Sequence, residues 1–411
     1  MKYRIWYSTE SFADFIIDKT NLRDKDVSKR KIYESDANNP NNFHTLPDHI
    51  KKILYLDAPD LIVEVDSEPI FSIEISTEAG TGHNVFQRFA RLAASAENNV
   101  PAIFIYPEAK IIDRDDNKDA RWDKINPLIF KALDDVMNIH HFPALFYYYP
   151  TDYRSTINHA NESSYLSSKG IIYDSDRLKY PACPDSNSNE TKDMFSAINE
   201  IIKITNEKGV VKGRSSLIGN RVISERKSFM AREYIEKGGN SNMSPLTAIK
   251  KIKTEILLNH LKRYESLKYT IGELLRSREE TIIYQANSKF REDPYAGALA
   301  AIDYLLCREG KTFEERKYNL VICWGKMELK HDSFNVISDK CSVNDFANQV
   351  LKSEDKNLLT KRYNELSVEQ IPRYYMQTRY GSMFSKAKHI RIFSYFADAI
   401  LFTDGALWRD A

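Results

Sequence analysis

Residues 58–76, APDLIVEVDSEPIFSIEIS, constrain the fold more than any other stretch of this chain. Leu61, Val63 and Val65 alternate with Ile62, Glu64 and Asp66, and Phe71, Ile73 and Ile75 alternate with Ser72, Glu74 and Ser76. Period-two alternation on both sides of the short polar turn Asp66-Ser67-Glu68-Pro69 predicts an antiparallel hairpin. Alternation also puts Glu74 and Ser76 on one face and Phe71, Ile73 and Ile75 on the other. Such a hairpin needs an apolar layer over at least one face, so the flanking segments must supply helices.

They do. Residues 9–18 read as a short helix capped by Thr9 or Ser11, the polar stretch 21–42 as a loop, and 46–56 as a helix. Past a Gly-containing turn at 77–83, residues 84–98 fit a helix with Phe86, Phe89, Ala90 and Ala93 on one stripe. Residues 101–107 (PAIFIYP) predict a strand, 112–122 an acidic loop, 123–138 a helix and 143–149 (PALFYYY) a strand. The order predicts an α/β layer with a mixed sheet. The Ser-, Asn-, Asp- and Pro-rich stretch 151–195 is the best boundary candidate. Beyond it the pattern reads as largely helical. Ser244-Pro245 opens a helix to about Tyr269 with Leu246, Ile249, Ile252 and Ile256 as its stripe, and Asp293-Pro294 opens another through Leu306. Residues 318–324 and 390–403 supply apolar runs for a second core. The expected division is 1–185 as one domain and 186–411 as a basic, α-rich second domain.

Charge separates the same two regions. The total is nearly neutral, 59 Lys+Arg against 58 Asp+Glu, yet residues 1–200 hold 23 basic and 32 acidic side chains and residues 201–411 hold 36 and 26. An acidic part suits cations and a basic part suits a polyanion. No apolar run approaches the roughly 20 residues of a membrane span. MKYRIWYSTESFADF lacks a signal peptide's apolar stretch. Cys183, Cys307, Cys323 and Cys341 are far apart with no CxxC spacing and read as reduced, buried thiols. A cytoplasmic protein is expected.

Asp60 at the start of the first hairpin strand and Glu74 in the second bring two acids into one sheet. Buried carboxylates are costly unless paired, and a divalent cation would resolve that cost. Mg2+ takes a few carboxylate oxygens, a carbonyl and several waters, leaving room for phosphate. The Ile75 carbonyl is placed to complete the shell, and Glu64 is a reserve ligand.

Pro59-Asp60, a hairpin, and Glu74-Ile75-Ser76 together resemble the PD-(D/E)XK nuclease superfamily, which includes many restriction endonucleases. The resemblance covers roughly residues 8–107. It implies a mixed-sheet restriction-endonuclease-like core and Mg2+-dependent hydrolysis of phosphodiester bonds in double-stranded DNA, with Asp60, Glu74 and Ile75 holding the metal. A type II restriction endonuclease, of a kind that often pairs as a homodimer to cut both strands, is the setting it suggests. The family's lysine, two residues after the Glu, is Ser76 here, which can bond water but carries no charge. Gln87 matches a supporting glutamine on the helix after the hairpin, Arg88 or Arg91 could supply the missing charge, and Glu10 matches an acid used by some members. Two alternatives stay open: a non-catalytic DNA-binding protein on a decayed nuclease fold, and an RNA-processing nuclease.

Two basic tracts are candidates for DNA contact. Residues 212–232 carry Arg214, Arg221, Arg226 and Lys227, and residues 361–391 interleave Arg373 and Arg379 with Tyr374, Tyr375 and Tyr380. Arg and Lys neutralise phosphates, and tyrosines can contact backbone or stack on bases. Other short motifs carry less. Gly80-Thr81-Gly82 reads as a tight turn, Gly310-Lys311-Thr312 as a chance likeness to a P-loop, and His140-His141 as a helix end.

Overall fold

The alternating segments pair at the centre of a six-stranded sheet in a computed structural model of the chain. The structure describes residues 1–32, 46–54, 56–77, 84–107, 109–114, 118–124, 126–151, 171–225, 245–265, 271, 273–286, 292–337, 340–342, 345, 392–393 and 395–408. It divides into two compact units, Met1–Leu54 with Ala58–Ser244, and Tyr55–Asp57 with Pro245–Ala411. The contact boundary at Ser244–Pro245 lies beyond the 185/186 division expected from the sequence. Composition marks the polar stretch, but the helix after it buries Phe195, Ile198 and Ile201 and belongs to the first unit.

In the first unit the elements run β1 (Tyr3–Tyr7), α1 (Glu10–Lys19), a 3-10 turn (Asn21–Asp24), β2 (Val27–Lys31), α2 (Asp48–Leu54), β3 (Leu61–Val65) and β4 (Glu68–Ile75). There follow α3 (Asn84–Gln87), α4 (Phe89–Glu97), β5 (Ala102–Pro107), the hairpin β6 (Ala109–Arg114) and β7 (Lys118–Lys124), α5 (Leu128–His140) and β8 (Ala144–Tyr149). Helices α6 (Asn189–Lys208) and α7 (Val210–Leu217) follow, and residues 221–225 are again helical. The strand order is β2-β1-β3-β4-β5-β8. Strand β3 is antiparallel to β1 and β4, whereas β4, β5 and β8 run parallel.

The β3–β4 turn is tighter than expected. Asp66 and Ser67 both have positive φ, 49° and 70°. Two successive left-handed residues match the right-handed twist of a two-residue hairpin. Pro69 sits beside a bulge at Val63/Glu64, where a missing N–H is tolerated. Helix α1 buries Phe12, Ala13, Phe15 and Ile16, and Phe15 meets Phe195 of α6 at 5.4 Å between ring centres. Ser72 of β4 and Ser95 of α4 share a 2.7 Å hydrogen bond, which pins α4 to the sheet face carrying Ser72 and Glu74.

Four strands of this unit were not expected: β1, β2, β6 and β7. VSKRK forms β2 at the sheet edge, where only Val27 is partly buried, so no alternation marks it. The acidic segment expected as a loop contains the β6–β7 hairpin, which forms its own two-stranded sheet outside the six-stranded one.

The second unit contains β9 (Ile249–Lys253), α8 (Thr254–Glu265), α9 (Glu273–Arg276), β10 (Glu280–Ala286), α10 (Glu292–Ile302), β11 (Asn319–Trp324), the hairpin β12 (Met327–Lys330) and β13 (Ser333–Val336), β14 (Ala399–Leu401) and β15 (Ala406–Trp408). A five-stranded mixed sheet, β15-β14-β11-β10-β9, replaces the largely helical region expected. The long helix from Ser244-Pro245 is instead a 3-10 turn, an edge strand and a shorter helix. Ile249, Ile252 and Ile256 have helical spacing, but β9 is an edge strand with only Ile252 fully buried, so no strict alternation was required of it.

His260 of α8 is stacked on Phe334 at 4.4 Å, and burial lowers its pKa from 6.5 to about 4. The unfolded chain therefore takes up a proton that the fold resists. The stability His260 lends is full above pH 6.5 and is lost as pH falls toward 4, at up to about 1.4 kcal/mol per pH unit. His260→Phe is expected to flatten that part of a melting-temperature profile; an unchanged acid slope would contradict it.

Candidate active site

Register does most of the work at this site. Leu61 faces Ile73 across the hairpin, so one step further Asp60 comes opposite Glu74. Asp60 is fixed from two sides: Ile75 N–H donates to its Oδ2 at 2.9 Å and the Ser8 hydroxyl to its Oδ1 at 3.0 Å. A residue's N–H and C=O lie on the same side of an extended strand. Ile75 N–H reaches toward Asp60, while Ser72 and Ser76 donate to the β5 side, to Pro101 O and Ile105 O. The Ile75 carbonyl is thereby turned toward the Asp60 edge.

Glu74 is 1% exposed. Its Oε1 takes Arg91 at 2.5 Å and Arg88 at 3.4 Å, both reaching in from the helical segment on that face. Its Oε2 is buried and accepts no hydrogen bond. Burial pushes the carboxyl pKa up to about 8, with the negative charge of Asp60 adding to the shift and Arg91 and Arg88 opposing it. A buried carboxylate with one oxygen held by cations and the other unused is the donor a hard cation seeks. Asp60, Glu74 and the Ile75 carbonyl are the groups that could hold a divalent ion here, with both Asp60 oxygens already accepting hydrogen bonds and Glu74 Oε2 enclosed. Among the described residues no group of three or more His, Cys, Asp or Glu side chains is disposed to hold a metal. Any such ion would rest on two carboxylates and a carbonyl.

Other expected residues fall differently. Glu64, the reserve ligand, is committed to Arg4 at 3.0 Å and His49 at 2.6 Å. Glu10 lies on the surface, paired with Lys29. Ser76 is buried at the end of β4 and lines a cleft of about 230 Å3 with Thr9, Phe12, Ile75, Thr77, Arg88, Pro181, Ala182 and Cys183. Gln87 ends α3, and its neighbour Arg88 forms that part of the wall. Sequence reasoning missed Ser8, the orienting partner of Asp60, and the 181–183 segment of the cleft. Neither has a local motif, since one is a lone serine after a strand and the other lies about a hundred residues from β4.

The DNA-contact candidates are dispersed. Arg214 is mostly buried and donates to Pro69 O at 2.6 Å, so it braces the hairpin from α7 in place of meeting solvent. Arg221 is exposed and pairs with Glu225. Arg226, Lys227, Arg373 and Arg379 lie outside the described residues, as does the Gly80–Gly82 turn. Gly310-Lys311-Thr312 belongs to a turn closed by Glu315, which accepts from Thr312 N–H and hydroxyl. His140 is buried in α5 and His141 is its left-handed C-cap. All four cysteines are free and buried. Among the described residues no helix is long and apolar enough to cross a membrane.

Comparison with models of known protein families, with curated proteins and with solved structures found no match to this chain.

Proposed function

We propose that this chain is a metal-dependent nuclease hydrolysing phosphodiester bonds of double-stranded DNA, with a site-specific restriction endonuclease as its setting. The observation that carries the reading is the placement of Asp60 opposite Glu74 on adjacent strands, with the Ile75 backbone between them. The order of elements supports it: helix α1, the acid-bearing β3–β4 hairpin, helices α3 and α4, then strand β5 follow the helix, hairpin, helix, strand order that the nuclease resemblance implies.

Asp60 and Glu74 would hold Mg2+ with the Ile75 carbonyl. A divalent cation there supplies a lowered pKa for bound water and offsets charge developing on phosphorus. The chain's own groups do the rest. Ser8 and Ile75 N–H orient Asp60. Arg91 holds Glu74 in one rotamer and offsets its buried charge. Ser76 places a neutral hydroxyl at the cleft wall.

Incubation of the pure protein with mixed plasmid DNA and Mg2+ is expected to give discrete fragments, and EDTA is expected to prevent them. Ser76 in the lysine position favours one other reading, duplex binding without chemistry. Salt-sensitive duplex binding with no cleavage in any divalent metal would establish that reading. Preferential cutting of structured RNA would move the substrate from DNA to RNA.

A further inference from the structure

We propose that the cleft at the carboxyl end of β4 is a phosphate subsite and that Arg88, not Arg91, is the cation that binds the phosphate. The inference rests on the nuclease reading for its substrate but on separate observations for the site.

The two arginines divide by position. Arg91 is in direct contact with Glu74 Oε1, and its side chain is 15% exposed. Arg88 stands at 3.4 Å from the same oxygen and is 26% exposed. Charge-assisted N–H···O contacts close to about 2.7–2.9 Å when they are fully made. The Arg91 pair is closed, and the Arg88 pair is not. Arg88 alone of the two lines the cleft.

Arg88 joins α3 to α4 with right-handed helical dihedrals, φ −88° and ψ −9°. It stands three positions before Arg91, close to one helical turn, so both guanidinium groups reach Glu74. Arg88 also shares the cleft wall with Ile75 and Ser76 at the end of β4.

The wall of the cleft suits an anion. Arg88 is the sole charged side chain among its lining residues, and Thr9, Ser76 and Thr77 add hydroxyls. The Thr9 side chain makes no capping bond to α1. Phe12, Ile75, Pro181 and Ala182 give an apolar floor. A volume of about 230 Å3 is below the roughly 300–1,000 Å3 of sites for larger organic ligands. It matches a phosphoryl group with part of the sugar to which it is esterified. A planar guanidinium is the donor that recognises phosphate by paired hydrogen bonds. Asp60 and Glu74 do not themselves line the cleft; two of its wall residues connect to them, Ile75 through its N–H to Asp60 and Arg88 to Glu74. Arg88 thus takes the electrostatic place that Ser76 leaves empty.

Binding without metal tests this apart from cleavage. Inorganic phosphate and a short DNA duplex are titrated by calorimetry in EDTA against the wild type, Arg88→Ala, Arg88→Lys and Arg91→Ala, with a melting curve for each. Arg88→Ala is expected to weaken both ligands by about tenfold or more, and Arg88→Lys to recover most of the loss. Arg91→Ala is expected to lower the melting temperature while leaving phosphate affinity within about threefold. Wild-type affinity in Arg88→Ala, or no phosphate binding by the wild type, overturns the proposal. A duplex bound more tightly than inorganic phosphate, with both affinities lost together, assigns the ligand to nucleic acid. Equal affinities assign it to free phosphate and overturn the nucleic-acid part. If no metal supports cleavage but the Arg88 dependence holds, the subsite stands and the nuclease reading falls. If cleavage is found and Arg88→Ala cuts at the wild-type rate, the subsite falls and the nuclease stands.

Discussion

Asp60→Ala and Glu74→Ala are each expected to reduce Mg2+-dependent plasmid cleavage by at least about 10³-fold, while duplex binding in EDTA stays within a few-fold of wild type. The size of the loss follows from geometry. Asp60 and Glu74 are the only carboxylates the hairpin register sets face to face, and Glu64, the next acid on β3, is already taken by Arg4 and His49. No described neighbour stands ready to replace either one. The two groups act as a unit, so the double variant is expected to be no worse than the poorer single one. Asp60→Asn keeps one acceptor, for Ile75 N–H, while its amide NH2 can donate to the Ser8 hydroxyl oxygen with that bond reversed, and so separates folding from metal binding. A variant lacking either carboxylate that cuts at the wild-type rate removes the nuclease assignment.

Asp303→Ala is expected to cost about 3–5 kcal/mol of stability in the second unit, read as a lower denaturant midpoint. Asp303 is wholly buried between two equally buried guanidinium groups, Arg308 at 2.9 Å and Arg316 at 2.8 Å. Arg316 reaches on to Asp398 at 3.1 Å, whose Oδ2 also accepts from Leu320 N–H at 2.9 Å. Arg278 joins through Asn319, which donates to Thr281 and to the Leu275 carbonyl. Removing Asp303 leaves three buried cations, Arg278, Arg308 and Arg316, in a cluster whose remaining acid, Asp398, meets Arg278 and Arg316. Replacing Asp303 and Arg308 together by Leu and Met is expected to cost less than the sum of the single changes, because the pair's desolvation cost disappears with its attraction. A loss below about 1 kcal/mol for Asp303→Ala would show that this cluster does not hold the unit together.

The β3–β4 hairpin was legible because its sequence alternates around a polar turn, although both strands prove to be buried on both faces. Strand β2 was not, because an edge strand of Lys and Arg has no buried face to advertise. IKKIK was misread for a related reason: at an edge, two isoleucines three apart satisfy a helix stripe as well as a half-covered strand. Asp60 and Glu74 could be named from spacing alone, since a hairpin converts sequence distance into spatial register. Arg88 and Arg91 could be noticed on the following helix, but which of them lines the cleft depends on the 181–183 segment and α1 that form its other walls. The 181–183 wall and the Asp303–Arg316–Asp398 cluster lie beyond such reading, because tertiary packing unites residues with no shared period.

The tight Asp66–Ser67 corner has a consequence for how this chain can vary over time. One residue inserted or deleted between Asp60 and Glu74 would turn one acid to the opposite side of the ribbon and leave its counterpart behind. A chain that uses the two acids together is therefore expected to tolerate changes of length in its flanks and not in this interval.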